Sequence, residues 1–131
     1  MKKRGILNAQ LSHLIAALGH KDLFMIGDAG MPIPEGVEVV DLVLTAGVPT
    51  FEQVMTAVLD EAEVEGYYLA HEIKEHNVPL EDFIKKSLPM AEVEYMPHED
   101  LKKLSAKCRF AIRTGEFSPY PNVILRAGVV F

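Results

Sequence analysis

The 131-residue chain contains one cysteine, no tryptophan and no long uninterrupted apolar run. Because Cys108 is alone, an intrachain disulfide is impossible and a cysteine-rich metal site is excluded. Acidic or basic residues interrupt every apolar run well before the roughly 18–20 residues that a membrane-spanning helix needs. The basic start, residues 1–5, lacks the apolar core of a signal peptide. We therefore predict a cytoplasmic protein without a membrane segment.

Positive charge is also scarce. The formal net charge is −6, and the basic cluster at residues 2–4 is the only one. Binding to nucleic acid depends on clustered Lys and Arg that neutralise phosphates, so the composition argues against such a partner. The apolar share of 49% suits one globular domain, residues 1–131, that recognises a small neutral or weakly charged ligand.

Short apolar strands alternate with amphipathic helices along the chain. Helix 5–18 has one apolar face, and Gly19 is expected to end it in the left-handed conformation. Thr50 begins the next helix with a capping box. Val37 to Leu44 resembles a strand covered on both faces, with Asp41 buried in it. Further helices are predicted at 80–87 and 98–108, and the other strands at 23–26, 67–70, 93–96, 110–113 and 123–130.

This alternation predicts a three-layer α/β/α single domain with a largely parallel sheet. The connection 114–122 is too short for a helical crossover between parallel strands. We therefore expect the sheet to be mixed near the C-terminus.

Residues 19–34 are a candidate functional segment, because titratable groups flank a predicted buried strand. His20 precedes the apolar run 23–26, and Asp28 follows it between two glycines. A functional site is one interpretation of this arrangement. The other is that Gly19, Gly27 and Gly30 are ordinary turn residues and that the two polar side chains lie in solvated loops.

Several familiar chemistries are disfavoured by spacing. The Gly27–Gly30 segment lacks the third glycine of a dinucleotide fingerprint, and no phosphate-binding loop is present. His71 and His76 are five residues apart, about 500° around a helix, whereas a helical zinc pair needs a spacing of four. No serine lies in a nucleophile elbow, and Cys108 has no activating neighbour in sequence. We predict no metal and no cofactor.

Two further segments could bind hydroxyl groups. His98 and Lys102 are four residues apart and share one face of a helix, although an exposed helix end explains them equally well. The proline-braced segment 118–122 presents Tyr120 and Asn122, side chains that commonly orient sugar hydroxyls, on a stiff backbone. A simple connecting turn is the alternative.

At these segments the sequence resembles the ribose branch of the ribose pyranase and fucose mutarotase family. The resemblance covers essentially the whole chain, with no departure at the motifs. The motifs are the helix leading into Gly19-His20-Lys21-Asp22, then Gly27-Asp28-Ala29-Gly30-Met31-Pro32-Ile33-Pro34, and Tyr120-Pro121-Asn122.

The resemblance implies a cytoplasmic isomerase without cofactor or metal that interconverts the pyranose and furanose forms of D-ribose. It implies His20 as the proton donor. It also implies a homodecamer of two stacked pentameric rings. The residues implied to bind the sugar are Asp28, His98, Lys102, Tyr120 and Asn122.

Simple chemistry is consistent with that expectation, because opening a hemiacetal only requires proton transfer. A histidine with its ordinary pKa near 6.5 suits the task, and the preceding helix C-terminus favours its protonated form. A strand of four residues separates His20 from Asp28 by about 13 Å, so we expect a site shared between subunits. Two alternatives stay open: a sugar-binding accessory or sensor domain without catalysis, and a mutarotase for another sugar such as fucose.

Overall fold

The computed structural model describes residues 1–131 as a six-stranded sheet with helices on both faces. No helix is long and apolar enough to cross a membrane. The helices are α1 (Ala9–Ala16), α2 (Phe51–Leu59), α3 (Ile73–His76), α4 (Val78–Ser87) and α5 (His98–Leu104). The strands are β1 (Leu23–Gly27), β2 (Glu38–Asp41), β3 (Val64–Ala70), β4 (Glu92–Met96), β5 (Phe110–Arg113) and β6 (Val123–Ala127).

The strand order is β2-β5-β1-β6-β3-β4. β6 pairs antiparallel with both β1 and β3, whereas the other three pairings are parallel. The expectation of a largely parallel, mixed sheet is confirmed, because the short connection after β5 returns the chain as an antiparallel neighbour. The carboxyl ends of five strands and the amino end of β6 therefore lie along one edge, which we call the carboxyl edge.

Apolar side chains cover the two faces of the sheet unequally. On one face α1, α2 and α4 pack over β1 and its neighbours in a cluster of 22 buried residues. Phe24 of β1 stacks there on Phe110 of β5, with ring centroids 5.3 Å apart. On the other face α5 contributes Leu101 to a cluster of 7 buried residues around Met25. Successive side chains of β1 thus point to opposite faces of the sheet and contribute to both apolar clusters. The prediction of three layers is confirmed.

The first helix is shorter than the apolar pattern predicted. It begins after Asn8, whose side-chain oxygen accepts a hydrogen bond from the Leu11 backbone N–H at 2.9 Å. Leu7 therefore lies outside the helix and is 64% exposed. The prediction for Gly19 was wrong: the helix ends at Ala16, and the left-handed residue in this turn is Lys21, with φ 69°.

Strand β2 was also misjudged, because it lies at an edge of the sheet. Only Val40 is buried in it, and Asp41 is exposed. The Asp41 carboxylate pairs with Arg113 of β5 at 3.0 Å. A strand with a single neighbour cannot be covered as an inner strand is, so the apolar pattern overestimated its burial.

The predicted start of α2 is confirmed in detail. The Thr50 hydroxyl accepts from the Gln53 backbone N–H at 3.1 Å, and the Gln53 side chain accepts from the Thr50 backbone N–H at 2.9 Å. This reciprocal capping box fixes where the chain enters the helix. Separate backbone hydrogen bonds hold the loop before α2 against the segment after β5, beside the carboxyl edge: the Gly47 N–H donates to the Gly115 carbonyl at 2.7 Å, and the Gly115 N–H donates to the Pro49 carbonyl at 2.8 Å.

Candidate functional site

A cavity of about 670 Å³ opens at the carboxyl edge of the sheet. Four of the six predicted site residues line it: Asp28, His98, Tyr120 and Asn122. They come from the ends of β1 and β4 and from the segment before β6. Carboxyl ends of parallel strands are the usual place for a ligand in an open α/β sheet, and the volume suits a small molecule.

Asp28 and Asn122 form a reciprocal pair at the base of this cavity. The Asn122 Oδ1 accepts from the Asp28 backbone N–H, and the Asn122 Nδ2 donates to the Asp28 Oδ2, both at 2.9 Å. The other carboxylate oxygen, Oδ1, accepts from the Gly30 backbone N–H at 2.7 Å. Asn122 is only 1% exposed, whereas Asp28 is half-buried. The carboxylate is thereby held in one orientation, with lone pairs remaining for a ligand.

Tyr120 is held between two histidine rings. Its ring lies edge-on to His98 with centroids 5.2 Å apart, and His76 packs against it at 5.4 Å. The Tyr120 backbone has a φ of 55°, an unusual left-handed value for a bulky side chain. Asn77 holds the same segment by donating to the Pro119 carbonyl at 2.9 Å. The phenol is therefore presented by a braced backbone, as the two flanking prolines suggested.

His98 enters the cavity from the start of α5. The Glu72 carboxylate accepts from the His98 backbone N–H, with both oxygens at 3.1 Å. The ring nitrogen Nδ1 is buried and has no hydrogen-bond partner. The cost of leaving a buried ring nitrogen without a partner marks His98 as a residue whose contacts are incomplete in the single chain.

Two ionisable residues that line the cavity were missed by the sequence analysis. Arg113 donates from Nε to the Ala29 carbonyl at 2.9 Å, in addition to its pairing with Asp41. The Glu116 Oε1 accepts from the Phe51 backbone N–H at 3.0 Å and so joins the start of α2 to the cavity wall. Both residues lie at or just after the end of β5. That position at the carboxyl edge was the signal that could have identified them.

Lys102 lies outside the residues that line the cavity, although it shares a helix face with His98. Its ammonium pairs with Glu99 at 3.0 Å, one turn earlier on α5. This pair holds the pKa of the Glu99 carboxyl below its usual value, through the hydrogen bond from Lys102 and its charge.

The two histidines of the 71–76 segment have separate surroundings. His71 stacks on Tyr95 with centroids 6.0 Å apart, whereas His76 packs on Tyr120. Nowhere in the chain do three His, Cys, Asp or Glu side chains come close enough together to hold a metal ion.

His20 lies at the opposite edge of the sheet from Asp28, because the whole of β1 separates them. It borders a second cavity of about 450 Å³, together with apolar residues such as Leu18 and Val130. Its Nε2 lies 2.9 Å from the Glu65 Oε2. Within one chain the structure therefore brings together Asp28 and Asn122 but not His20.

Comparison with known proteins gives matches over the full length. A family model described as the RbsD / FucU transport protein family matches residues 1–130. A relative from Limosilactobacillus fermentum called D-ribose pyranase is 49% identical over 131 residues, covering all of both chains. A protein of the same name from Lactiplantibacillus plantarum is 47% identical over the same length.

Solved structures are also similar to this chain over all or nearly all of its length. The structure of Bacillus subtilis RbsD complexed with D-ribose superposes with a TM-score of 0.96 at 44% identity, and each chain is covered completely. The fucose mutarotase from Streptococcus pneumoniae, in complex with L-fucose, reaches a TM-score of 0.81 at 18% identity and covers 95% of each chain. The second likeness concerns the fold alone.

Proposed function

The chain belongs to the RbsD / FucU transport protein family, and on that basis we propose that it is an isomerase that interconverts the pyranose and furanose forms of D-ribose. Full-length identity of 47–49% to proteins called D-ribose pyranase supports this activity. The similarity to a ribose-bound structure at 44% identity supports D-ribose as the ligand.

The observation that carries the proposal within this chain is the Asp28–Asn122 pair at the base of the cavity. A carboxylate fixed by two hydrogen bonds accepts from sugar hydroxyls without first having to be ordered. Tyr120 supplies an aromatic ring and a phenol, and the His98 ring lies beside it in the cavity wall. Such a mixture of polar groups and one aromatic ring suits a polyhydroxylated ligand.

The reaction has two stages, ring opening to an open-chain aldehyde and closure to the other ring, and each stage needs two proton transfers. One proton leaves the anomeric hydroxyl while another reaches the ring oxygen, and the carbon–oxygen bond of the hemiacetal breaks. A different hydroxyl then adds to the aldehyde to form the other ring. A positioned acid or base contributes typically about 10²–10⁴-fold to such a step. We assign His20 as the proton donor. The residues assigned to sugar binding are Asp28, His98, Lys102, Tyr120 and Asn122, of which Lys102 lies outside the cavity lining of a single chain.

The separation of His20 from the cavity supports a site completed by a second copy of the chain. Exposed apolar residues, among them Val130 at 85% exposure, surround His20 and suit a subunit contact. We propose that the protein forms a closed homo-oligomer, a decamer of two pentameric rings, in which His20 of one subunit faces the cavity of the next. The cytoplasm is the proposed location.

Magnetisation-transfer NMR on D-ribose tests the activity. Catalytic amounts of the protein should speed exchange between the pyranose and furanose signals, and His20→Ala should abolish the effect while leaving the fold intact. His13→Ala is a matched control, because His13 lies at the helix surface away from both cavities. Unchanged exchange with added protein, together with retained ribose binding, would show a non-catalytic sugar-binding domain. Faster anomeric exchange of L-fucose than of D-ribose would indicate the other branch of the family.

A further inference from the structure

The proposed proton donor is in direct contact with a carboxylate. The His20 Nε2 lies 2.9 Å from the Glu65 Oε2, while the imidazole remains about half exposed. Glu65 lies in β3 at a shift of register between Val64 and Gly66, where β3 pairs with β6. A bulge of this kind redirects a side chain, and here it is the side chain that contacts His20.

Arg126 of β6 holds Glu65 from the other side. Its Nε donates to the Glu65 Oε1 at 3.1 Å. The rest of the guanidinium is held as well, since Nη1 donates to the Tyr68 hydroxyl at 3.3 Å and Nη2 to the Glu92 Oε2 at 3.1 Å. Glu65 is therefore fixed by one oxygen and contacts His20 with the other.

Gly66 leaves the room that this arrangement needs. A Cβ at Gly66 would lie 2.5 Å from the Arg126 Nη2 and 2.8 Å from its Cζ. Any larger residue would displace the guanidinium from Glu65. The glycine at position 66 thus allows the Arg126 guanidinium to lie against β3, where it binds Glu65.

A fixed carboxylate on one ring nitrogen has two chemical effects on a histidine. It favours the protonated imidazole, and it turns the opposite nitrogen outwards as the proton-donating atom. The hydrogen bond with His20 is the largest cause that holds the pKa of the Glu65 carboxyl below its usual value, and the charges of His20 and Arg126 act in the same direction. Glu65 is therefore ionised at neutral pH.

We propose that Glu65, held by Arg126, is the positioning residue that orients His20, so that the ring nitrogen Nδ1 faces the sugar ring oxygen. This inference depends on the proposed function, in which His20 is the proton donor. Arg126 acts one step further away, through Glu65 alone.

Other charged groups near His20 have different contacts. Glu61 and Glu63 line the same cavity, but neither hydrogen-bonds to the imidazole. The Glu61 Oε1 accepts from the Ile6 backbone N–H at 2.7 Å and lies 3.6 Å from the Lys2 ammonium. Lys21 is adjacent in sequence and adds a positive charge. Glu65 is thus the only acidic side chain in direct contact with His20.

Glu65→Gln tests the inference, because it removes the charge and keeps the size. Exchange of ribose signals by NMR, measured from pH 5 to 9, should show a kcat about tenfold lower with KM changed less than about twofold. The alkaline limb of the pH profile should move to lower pH, because the negative charge beside the imidazole is lost. Glu35→Gln is the matched control, because Glu35 is exposed in the turn before β2 and lines neither cavity, and it should keep the wild-type profile.

The possible outcomes separate this inference from the proposed function. A wild-type protein without activity, or an active His20→Ala variant, overturns the assignment of His20. An inactive His20→Ala variant combined with a wild-type kcat and pH profile for Glu65→Gln overturns the role of Glu65 alone. NMR of the histidine ring signals distinguishes a loss of His20 orientation from a general loss of structure. The His20 ring signals should change in Glu65→Gln while thermal unfolding stays close to wild type, and unchanged ring signals would contradict the proposal.

Discussion

Asn122 binds Asp28 through both ends of its side-chain amide, accepting from the backbone N–H and donating to the carboxylate. The two residues are 94 positions apart in sequence, at the end of β1 and the start of β6. This pair ties together an antiparallel strand and its neighbour at the point where the cavity opens.

Asn122→Ala should weaken ribose binding, because the Asp28 carboxylate loses one of its two donors and the Asp28 backbone N–H loses its acceptor. A hydrogen bond to a charged group is worth about 1.5–3 kcal/mol, so we expect kcat/KM to fall about 10- to 100-fold. Steady-state exchange kinetics by NMR measure this. Asn8→Ala is the control: it removes the cap of α1 and should lower stability by about 1 kcal/mol without changing KM. A KM for Asn122→Ala equal to that of the wild type would count against the cavity as the ribose site.

Mixing two inactive variants should restore activity. If His20 of one subunit serves the cavity of the next, oligomers of His20→Ala and Asp28→Ala that are dissociated, mixed and reassembled will contain intact sites. Random assembly in equal amounts gives about a quarter of the wild-type sites. The recovered exchange rate after mixing is the measurement, with each variant reassembled alone as the control. No recovery, despite mixed oligomers by mass spectrometry, would favour a site within a single chain.

Much of the fold was predictable because local patterns and physical rules agree. Strand β5 at Phe110–Arg113 and the capping box at Thr50 match the prediction at their boundaries. The antiparallel placement of β6 followed from the length of one connection. The separation of His20 from Asp28 followed from the length of β1.

What could not be predicted depends on strand order. An apolar run looks the same in an inner strand and at an edge, so the exposure of Asp41 became visible only with β2 placed beside β5 alone. The role of Glu116 was hidden for a similar reason. Its carboxylate contacts the start of α2, 65 residues away, and no local motif marks such a contact.

Gly115→Ala should destabilise the protein strongly. An added Cβ would lie 2.5 Å from the Val48 carbonyl oxygen and 2.6 Å from its backbone C and N atoms. Backbone on both sides is fixed, since the Gly115 N–H donates to the Pro49 carbonyl at 2.8 Å. We expect a loss of about 2 kcal/mol or more in the free energy of unfolding by denaturant titration. Gly19→Ala is the control, because its Cβ would meet only Asp22 at 3.5 Å. Equal stability of the two variants would contradict the close approach.

Cys108 should be unreactive in the folded protein. Burial raises the pKa of its thiol to about 12, so little thiolate exists at pH 8. Alkylation by iodoacetamide, followed by mass spectrometry, should be at least about 100-fold slower in native protein than in denaturant. The exposed neighbouring position supplies the control: Lys107→Cys should label rapidly in the native state. Rapid native labelling of Cys108 itself would show that its pocket opens readily.

The central position of β6 has a consequence for how the chain folds. β6 alone joins the β2-β5-β1 half of the sheet to the β3-β4 half, and it pairs residues as distant as Leu23 and Arg126. Closing such a large loop is entropically costly, so we expect the insertion of β6, which turns two half-sheets into one, to come late in folding. Asn122 reaches Asp28 and Arg126 reaches Glu65 in that same step. We therefore expect the cavity at the carboxyl edge and the support of His20 to be assembled together, in that late step.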